Sequence, residues 1–157
     1  VNTAKVILER TFTTASAEET IEAGRALASL LRPPLLLILR GDLGAGKTTL
    51  VKGLAEALGA ANAEEVTSPT FTLVHAYQGV SPLTQEAMQL YHLDLYRLDE
   101  DRQLAALGIE EMIAENGLVL IEWGEKFPSL AAHADGEIAI THGEGDARSI
   151  VMQLRQT

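Results

Sequence analysis

The chain has 157 residues, 46% of them hydrophobic and only 4% aromatic, which suits one core of Leu, Ala, Val and Ile packed in layers of helix and sheet. It has no cysteine, which excludes disulfides, thiolate catalysis and thiolate metal sites and fits a cytoplasmic setting, and no apolar run approaches the ~20 residues of a membrane span. Twelve Lys and Arg against 22 Asp and Glu give a net charge of −10 with no basic cluster, so tight direct binding of RNA or DNA by this chain is not expected.

Residues 1–157 read as a single domain, and the early Glu9 and Arg10 argue against a secretory signal. Lys5 to Thr13 reads as a strand with Val6, Leu8 and Phe12 inward. Ser16 and Glu19 form a capping box that opens a helix. Its buried face carries Ile21, Gly24, Leu27, Ala28 and Leu31, and Arg32-Pro33-Pro34 ends it. Leu35 to Leu39 is apolar at every position, the mark of a strand covered on both faces in a parallel sheet.

Gly41 to Thr48 follows at once and fits Gly-x-x-x-x-Gly-Lys-Thr. Glycines let consecutive N–H groups curl around polyphosphate without a side chain in the way. Lys47 reaches β- and γ-phosphates, and the Thr48 hydroxyl can hold Mg²⁺. The helix Lys47 to Leu58 adds the positive end of its dipole, buries Leu50, Val51, Leu54, Ala57 and Leu58, and stops at Gly59. A nucleotide triphosphate with magnesium is the expected ligand.

Ala60 to Ser68 reads as a loop, closing on Thr67-Ser68-Pro69-Thr70, whose hydroxyls resemble a switch segment ordered by a γ-phosphate and metal. Phe71 to Tyr77 and Ala87 to Tyr96 read as an antiparallel hairpin joined by an irregular segment from Gln78. Asp99 caps a short helix with Leu104 and Leu107. Gly108 separates it from a second piece with Ile109, Met112 and Ile113. After the turn at Glu115-Asn116-Gly117, Leu118 to Ile121 is another wholly apolar strand, ending at Glu122. A last hairpin pairs Glu137 to Thr141 with Ser149 to Leu154 around a loop holding Arg148. The expected architecture is an α/β three-layer sandwich of the phosphate-loop NTPase kind, its mixed sheet parallel at the centre with antiparallel hairpins at the margins.

Hydrolysis of a triphosphate requires a metal beside the γ-phosphate and a group that places water. Asp94 and Glu122 compete for these roles. Glu122 stands at the carboxyl end of a buried strand, the edge where ligands lie in open α/β sheets. Strand alternation sets Asp94 on one face with His92 and Tyr96, and His92 reads as an ordinary half-buried histidine. Trp123, the only tryptophan, offers a flat surface to a nucleotide or a partner, or simply packs at the sheet margin.

Four motifs then carry a resemblance: Gly-Asp-Leu-Gly-Ala-Gly-Lys-Thr-Thr at Gly41 to Thr49, Ser-Pro-Thr-Phe-Thr-Leu at Ser68 to Leu73, His-Leu-Asp-Leu-Tyr-Arg-Leu at His92 to Leu98, and Ile-Glu-Trp at Ile121 to Trp123. In order and spacing the chain resembles the TsaE family, bacterial ATPases of tRNA threonylcarbamoyladenosine biosynthesis. The resemblance implies an ATPase of low intrinsic activity that binds ATP or ADP with Mg²⁺ and works with TsaB-like and TsaD-like proteins, which handle the tRNA. It implies that Gly44, Ala45, Gly46, Lys47, Thr48 and Thr49 hold the phosphates. By the same resemblance Thr48 and Glu122 would hold Mg²⁺, and Asp94 would support the metal or the attacking water. The resemblance would also set Trp123 at the nucleotide or partner face, and Ser16 to Thr20 and the loop at Arg148 near base and phosphates.

A small-molecule kinase shares this size and fold but needs a lid, and Arg97 and Arg102 are the only close arginine pair. A guanine-nucleotide switch lacks its base-reading Asn-Lys-x-Asp here. A binding module with negligible turnover stays open on the sequence.

Overall fold

The two runs that are apolar at every position lie side by side in the middle of the sheet, as burial on both faces demands. In chain order the elements are β1 (Val6–Thr14), α1 (Ala17–Ala28), β2 (Leu35–Arg40), α2 (Lys47–Ala57), β3 (Val74–Val80), β4 (Ala87–Asp94), α3 (Asp101–Ala105), α4 (Ile109–Ala114), β5 (Gly117–Glu122), α5 (Pro128–His133), β6 (Gly136–His142) and β7 (Arg148–Arg155). Short 3-10 turns occupy Ala63–Glu65 and Gly124–Lys126. This computed structural model describes residues 5–42, 44–70 and 72–156. Leu43 of the glycine loop and Phe71, expected to begin a strand, lie outside the described residues.

The strands form a seven-stranded sheet in the order β1-β7-β6-β2-β5-β4-β3. β2 runs parallel to β5 and to β6, and β5 runs parallel to β4. The β3–β4 and β6–β7 hairpins are antiparallel, and β1 adds antiparallel to β7 at the margin. The mixed sheet with marginal hairpins is as the sequence implies.

The pleat divides the apolar side chains between two layers. Leu37, Leu39, Leu90, Leu118 and Leu120 face α1 and α2, where they pack with Leu27, Leu50, Val51 and Leu54. Leu36, Ile38, Leu93, Val119 and Ile121 face the other way, against Leu98, Phe127 and Leu130. Helices thus cover both faces of the sheet. Among the described residues no helix is long and apolar enough to cross a membrane.

α1 and α2 touch through their backbones. A Cβ on Gly24 would overlap the Leu50 carbonyl oxygen, and one on Gly53 would overlap that of Ile21, so only glycine fits either position. An ion pair between Arg25 and Glu56 spans the same two helices. At the far end of α2 the Gly59 N–H bonds to Glu56 O at 3.0 Å and the Ala60 N–H to Ala55 O at 2.9 Å, the paired closure expected of a glycine C-terminal cap.

Several boundaries differ from expectation, each for a local reason. α1 stops at Ala28, with Ser29 as its cap, before the prolines; buried Leu31 lies beyond the turn at 29–30. Glu19 accepts from the Ala15 N–H while Ser16 Oγ accepts from the Glu19 N–H, so the N-terminal box is shifted by one residue. On β1, Leu8 and Phe12 pack on the core but Val6 is exposed, as a marginal strand leaves one end uncovered. β4 ends at Asp94, not at Tyr96, because the Asp94 carboxylate accepts the Tyr96 N–H. Glu100 rather than Asp99 caps α3, in a box with Gln103. The segment after Gln78 is regular: β3 continues to Val80, and Ser81 Oγ closes the turn by accepting from the N–H groups of Leu83 and Thr84. Arg148 opens β7 instead of lying in the loop before it.

Candidate functional site

The glycine loop leaves the carboxyl end of β2 and delivers the chain into α2. Gly46, with φ +105°, caps α2 without any side-chain hydrogen bond, and the first turn carries no acid. The first N–H groups of a helix have no intrahelical partner. With no side chain capping them here, they and the helix dipole present a positive, donor-rich end. Ala45 is buried beneath the loop, its N–H bonded to Asp42 O at 3.0 Å. Thr48 and Thr49 are half-buried on the first turn.

Arg148 braces this loop, and Thr20 of α1 lies near it. Arg148 Nε donates to Ala45 O at 2.8 Å and one terminal nitrogen to Gly44 O at 3.4 Å. Its other terminal nitrogen donates to Gly145 O and Ala147 O. From α1, Thr20 lies close enough that a Cβ on Gly46 would meet its methyl at 3.9 Å. The Thr20 hydroxyl is bonded to that of Thr14 at 2.8 Å. The guanidinium therefore fixes loop carbonyls.

Lys47 Nζ donates to Gly41 O at 2.7 Å and stands 3.2 Å from Oε1 of Glu122. The sheet register explains the second contact. Glu122 ends β5 level with Leu39 of β2 and with Asp94 of β4, and its side chain shares the face of Leu118 and Leu120, toward α2. Both acids are buried. On the other side Oε2 of Glu122 lies 2.6 Å from Nε2 of His92, a ring with 0% exposure rather than the half-buried histidine expected. Burial by itself pushes the Glu122 carboxyl up. The hydrogen bond and charge of His92, joined by the Lys47 ammonium, outweigh it and hold the group below its ordinary range.

Asp94 is bound by other partners. Its Oδ1 accepts the Tyr96 N–H and its Oδ2 the Thr70 hydroxyl, both at 2.9 Å. Thr70 is in turn 2.8 Å from the Ser68 hydroxyl, so the Ser-Pro segment is tied to β4 through an acid at the site. Tyr96 itself turns out to solvent and leaves the face it was expected to share with Asp94.

Trp123 follows Glu122 in a left-handed conformation, φ +65°, an unusual one for a bulky residue. That turn throws the indole out of the sheet to 37% exposure, 5.2 Å from the Tyr96 ring, with Lys47 Nζ 5.8 Å from its centre. Lys126, which no motif in the sequence singles out, donates to Tyr96 O and Leu98 O at 2.8 Å each and lies 5.7 Å from the Tyr96 ring. Lys47, Glu122, His92 and Trp123 thus form one connected group at the loop. Asp94 stands beside it in register, with Thr48 and Thr49 on the adjoining helix turn.

No cluster of three His, Cys, Asp or Glu side chains poised for a metal occurs among the described residues. Magnesium does not require one, since it keeps several waters and takes one or two protein oxygens together with phosphate. A hydroxyl and two carboxylates at a glycine cradle match that preference for hard donors. Surface cavities of about 430 Å³ beside β1 and α1 and about 350 Å³ beside α5 lie apart from this group.

A family model described as "Threonylcarbamoyl adenosine biosynthesis protein TsaE" matches residues 14–150. Proteins described as "tRNA threonylcarbamoyladenosine biosynthesis protein TsaE" are among the chain's relatives. The one from Treponema pallidum is 41% identical over 114 residues, covering 73% of this chain and 78% of its own length. That from Bacillus subtilis is 37% identical over 138 residues, 87% of this chain and 80% of its own. The crystal structure of Bacillus subtilis YdiB superposes with a TM-score of 0.71 at 31% identity, over 97% of this chain and 88% of that one.

Proposed function

The chain belongs to the TsaE family, and from that membership we propose that it is a magnesium-dependent ATPase serving tRNA threonylcarbamoyladenosine biosynthesis in the cytoplasm. In this reading it works with TsaB-like and TsaD-like proteins, turns over slowly alone, and meets tRNA only through them. The net charge of −10 supports that division of labour, because a direct RNA grip needs a basic face.

One observation carries the reading: the amino end of α2 is uncapped and free of acids, with Lys47 beside it and two buried carboxylates in register behind. Main-chain amides from Gly44 to Thr49 bind the β- and γ-phosphates, and Lys47 exchanges Glu122 for the γ-phosphate. Magnesium, when bound, neutralises phosphate charge and is held by the oxygens of Thr48 and Glu122, with Asp94 supporting it or the attacking water. Asp94 is oriented for either task by its two donors, Thr70 and the Tyr96 N–H. Arg148 keeps the loop carbonyls turned away from the anion, and Trp123 with Tyr96 provides an aromatic wall beside Lys47.

Phosphate release from ATP and magnesium by the purified protein, alone and with TsaB-like and TsaD-like proteins, tests this. Slow turnover alone that rises with the partners is expected. No turnover in any combination overturns the ATPase reading, and transfer of phosphate to a metabolite in a mixed-substrate screen replaces it with a kinase.

A further inference from the structure

His92 occupies a position where packing alone favours a hydrocarbon. Its ring is fully buried on β4, on the face that carries Leu90 and Leu120. Burying an imidazole there desolvates two nitrogens, a cost that an aliphatic side chain of similar size avoids. Only one of the two nitrogens is compensated among the described residues: Nε2 bonds to Glu122 at 2.6 Å, and Nδ1 has no partner there. Because an ionised carboxylate only accepts, Nε2 is assigned the hydrogen and donates it.

The register shows why this pair forms. His92 lies level with Leu120 and Asp94 level with Glu122, so His92 is one pleat behind the acid on the neighbouring parallel strand. From there its ring reaches diagonally forward to Oε2, the oxygen that Lys47 does not hold. The two partners of Glu122 differ in kind. Lys47 sits on the first turn of α2, within reach of an incoming phosphate, whereas His92 is enclosed by the sheet and the helix layer.

We propose that His92 is a positioning residue that fixes the Glu122 carboxylate through Nε2–H and keeps it aimed once Lys47 turns to phosphate. The inference rests on the ATPase reading above and goes beyond it in assigning this histidine a role. Without His92, a Glu122 released by Lys47 keeps no side-chain partner among the described residues to hold its rotamer, and the oxygen set at the cradle loses its geometry. Such supporting groups behind a functional carboxylate are worth roughly 10- to 100-fold in activity.

The test compares His92→Leu with His92→Gln, whose amide N–H can replace Nε2–H. Melting temperatures and affinity for a fluorescent ADP analogue without magnesium show that each variant folds and keeps its cradle. Expected is a fall in kcat of roughly 10- to 100-fold for His92→Leu with unchanged nucleotide affinity, and recovery of most of it in His92→Gln. Independently, ¹⁵N-histidine spectra of the nucleotide-free protein should show a His92 Nε2–H proton protected from exchange, and Glu122→Gln should shift it.

Wild-type turnover in His92→Leu, equal loss in both variants, or a ring proton indifferent to Glu122→Gln each overturns the inference while leaving the ATPase reading intact. Absence of turnover in the wild type with its partners overturns the ATPase reading, and this inference with it.

Discussion

Lys47 Nζ stands 3.2 Å from Oε1 of Glu122, so the ammonium that follows the glycine loop is held by a carboxylate of the same chain. Removing Lys47 therefore has two effects. Lys47→Ala takes away the charge proposed to meet the phosphates and leaves buried Glu122 with His92 as its side-chain partner among the described residues. Titration calorimetry with ATP and magnesium should show affinity at least about tenfold weaker, ~1.4 kcal/mol, together with loss of turnover. Unchanged affinity would make the glycine loop a structural turn.

The depressed Glu122 carboxyl also sets an acid limb of stability. Its folded-state value lies below the ordinary 4.5, so the unfolded chain binds this proton more readily than the native one. The stabilisation is complete above about pH 4.5 and is lost as pH falls from there through the native value. Urea midpoints of the nucleotide-free protein should therefore decline less steeply in Glu122→Gln than in the wild type below pH 4.5, with Glu122→Gln already weaker at pH 7. Parallel declines would assign the acid limb to other carboxylates.

The helix pair gives a prediction that does not depend on ligand. In Gly53→Ala the added methyl meets the Ile21 carbonyl oxygen, a backbone atom that cannot swing aside. Overpacking of this kind costs roughly 1–3 kcal/mol. Chemical denaturation at pH 7 measures it, and a neutral result would require the two helices to part more readily than their contact suggests.

Arg148 holds four backbone carbonyls around the loop, at Ala45, Gly44, Gly145 and Ala147. A planar fork does this and an ammonium cannot. Arg148→Lys should weaken nucleotide binding roughly tenfold despite keeping the charge, since hydrogen bonds to charged groups contribute roughly 1.5–3 kcal/mol. Full binding by the lysine variant would mean that charge alone suffices there.

What could be read from the sequence follows from how periodicity works. β2, α2 and β5 are long or wholly apolar, and they carry Lys47 and Glu122 to one edge of the sheet. The hidden part lies where a single side chain decides. α5 is six residues with Pro128 at its start and only Leu130 buried, too short to display a period. β4 stops where Asp94 caps it, a side-chain bond that alternation does not encode. Nothing in His-Leu-Asp distinguishes a half-buried ring from one sealed against Glu122, because that contact depends on the pairing of β4 with β5. Trp123 was legible as an aromatic beside the acid, and its left-handed backbone was not.

The glycine contact between α1 and α2 has a mechanical side. Helices that meet through side chains can slide on one another, since long flexible groups re-pack as they pass. Where bare main chain abuts bare main chain no such lubricating layer exists, and the two cylinders travel as one strut. That strut carries Thr20 on one helix and Lys47 on the other. On the proposed function, displacement between nucleotide states is expected outside that pair, at the Ser-Pro segment that the Thr70 hydroxyl ties to Asp94.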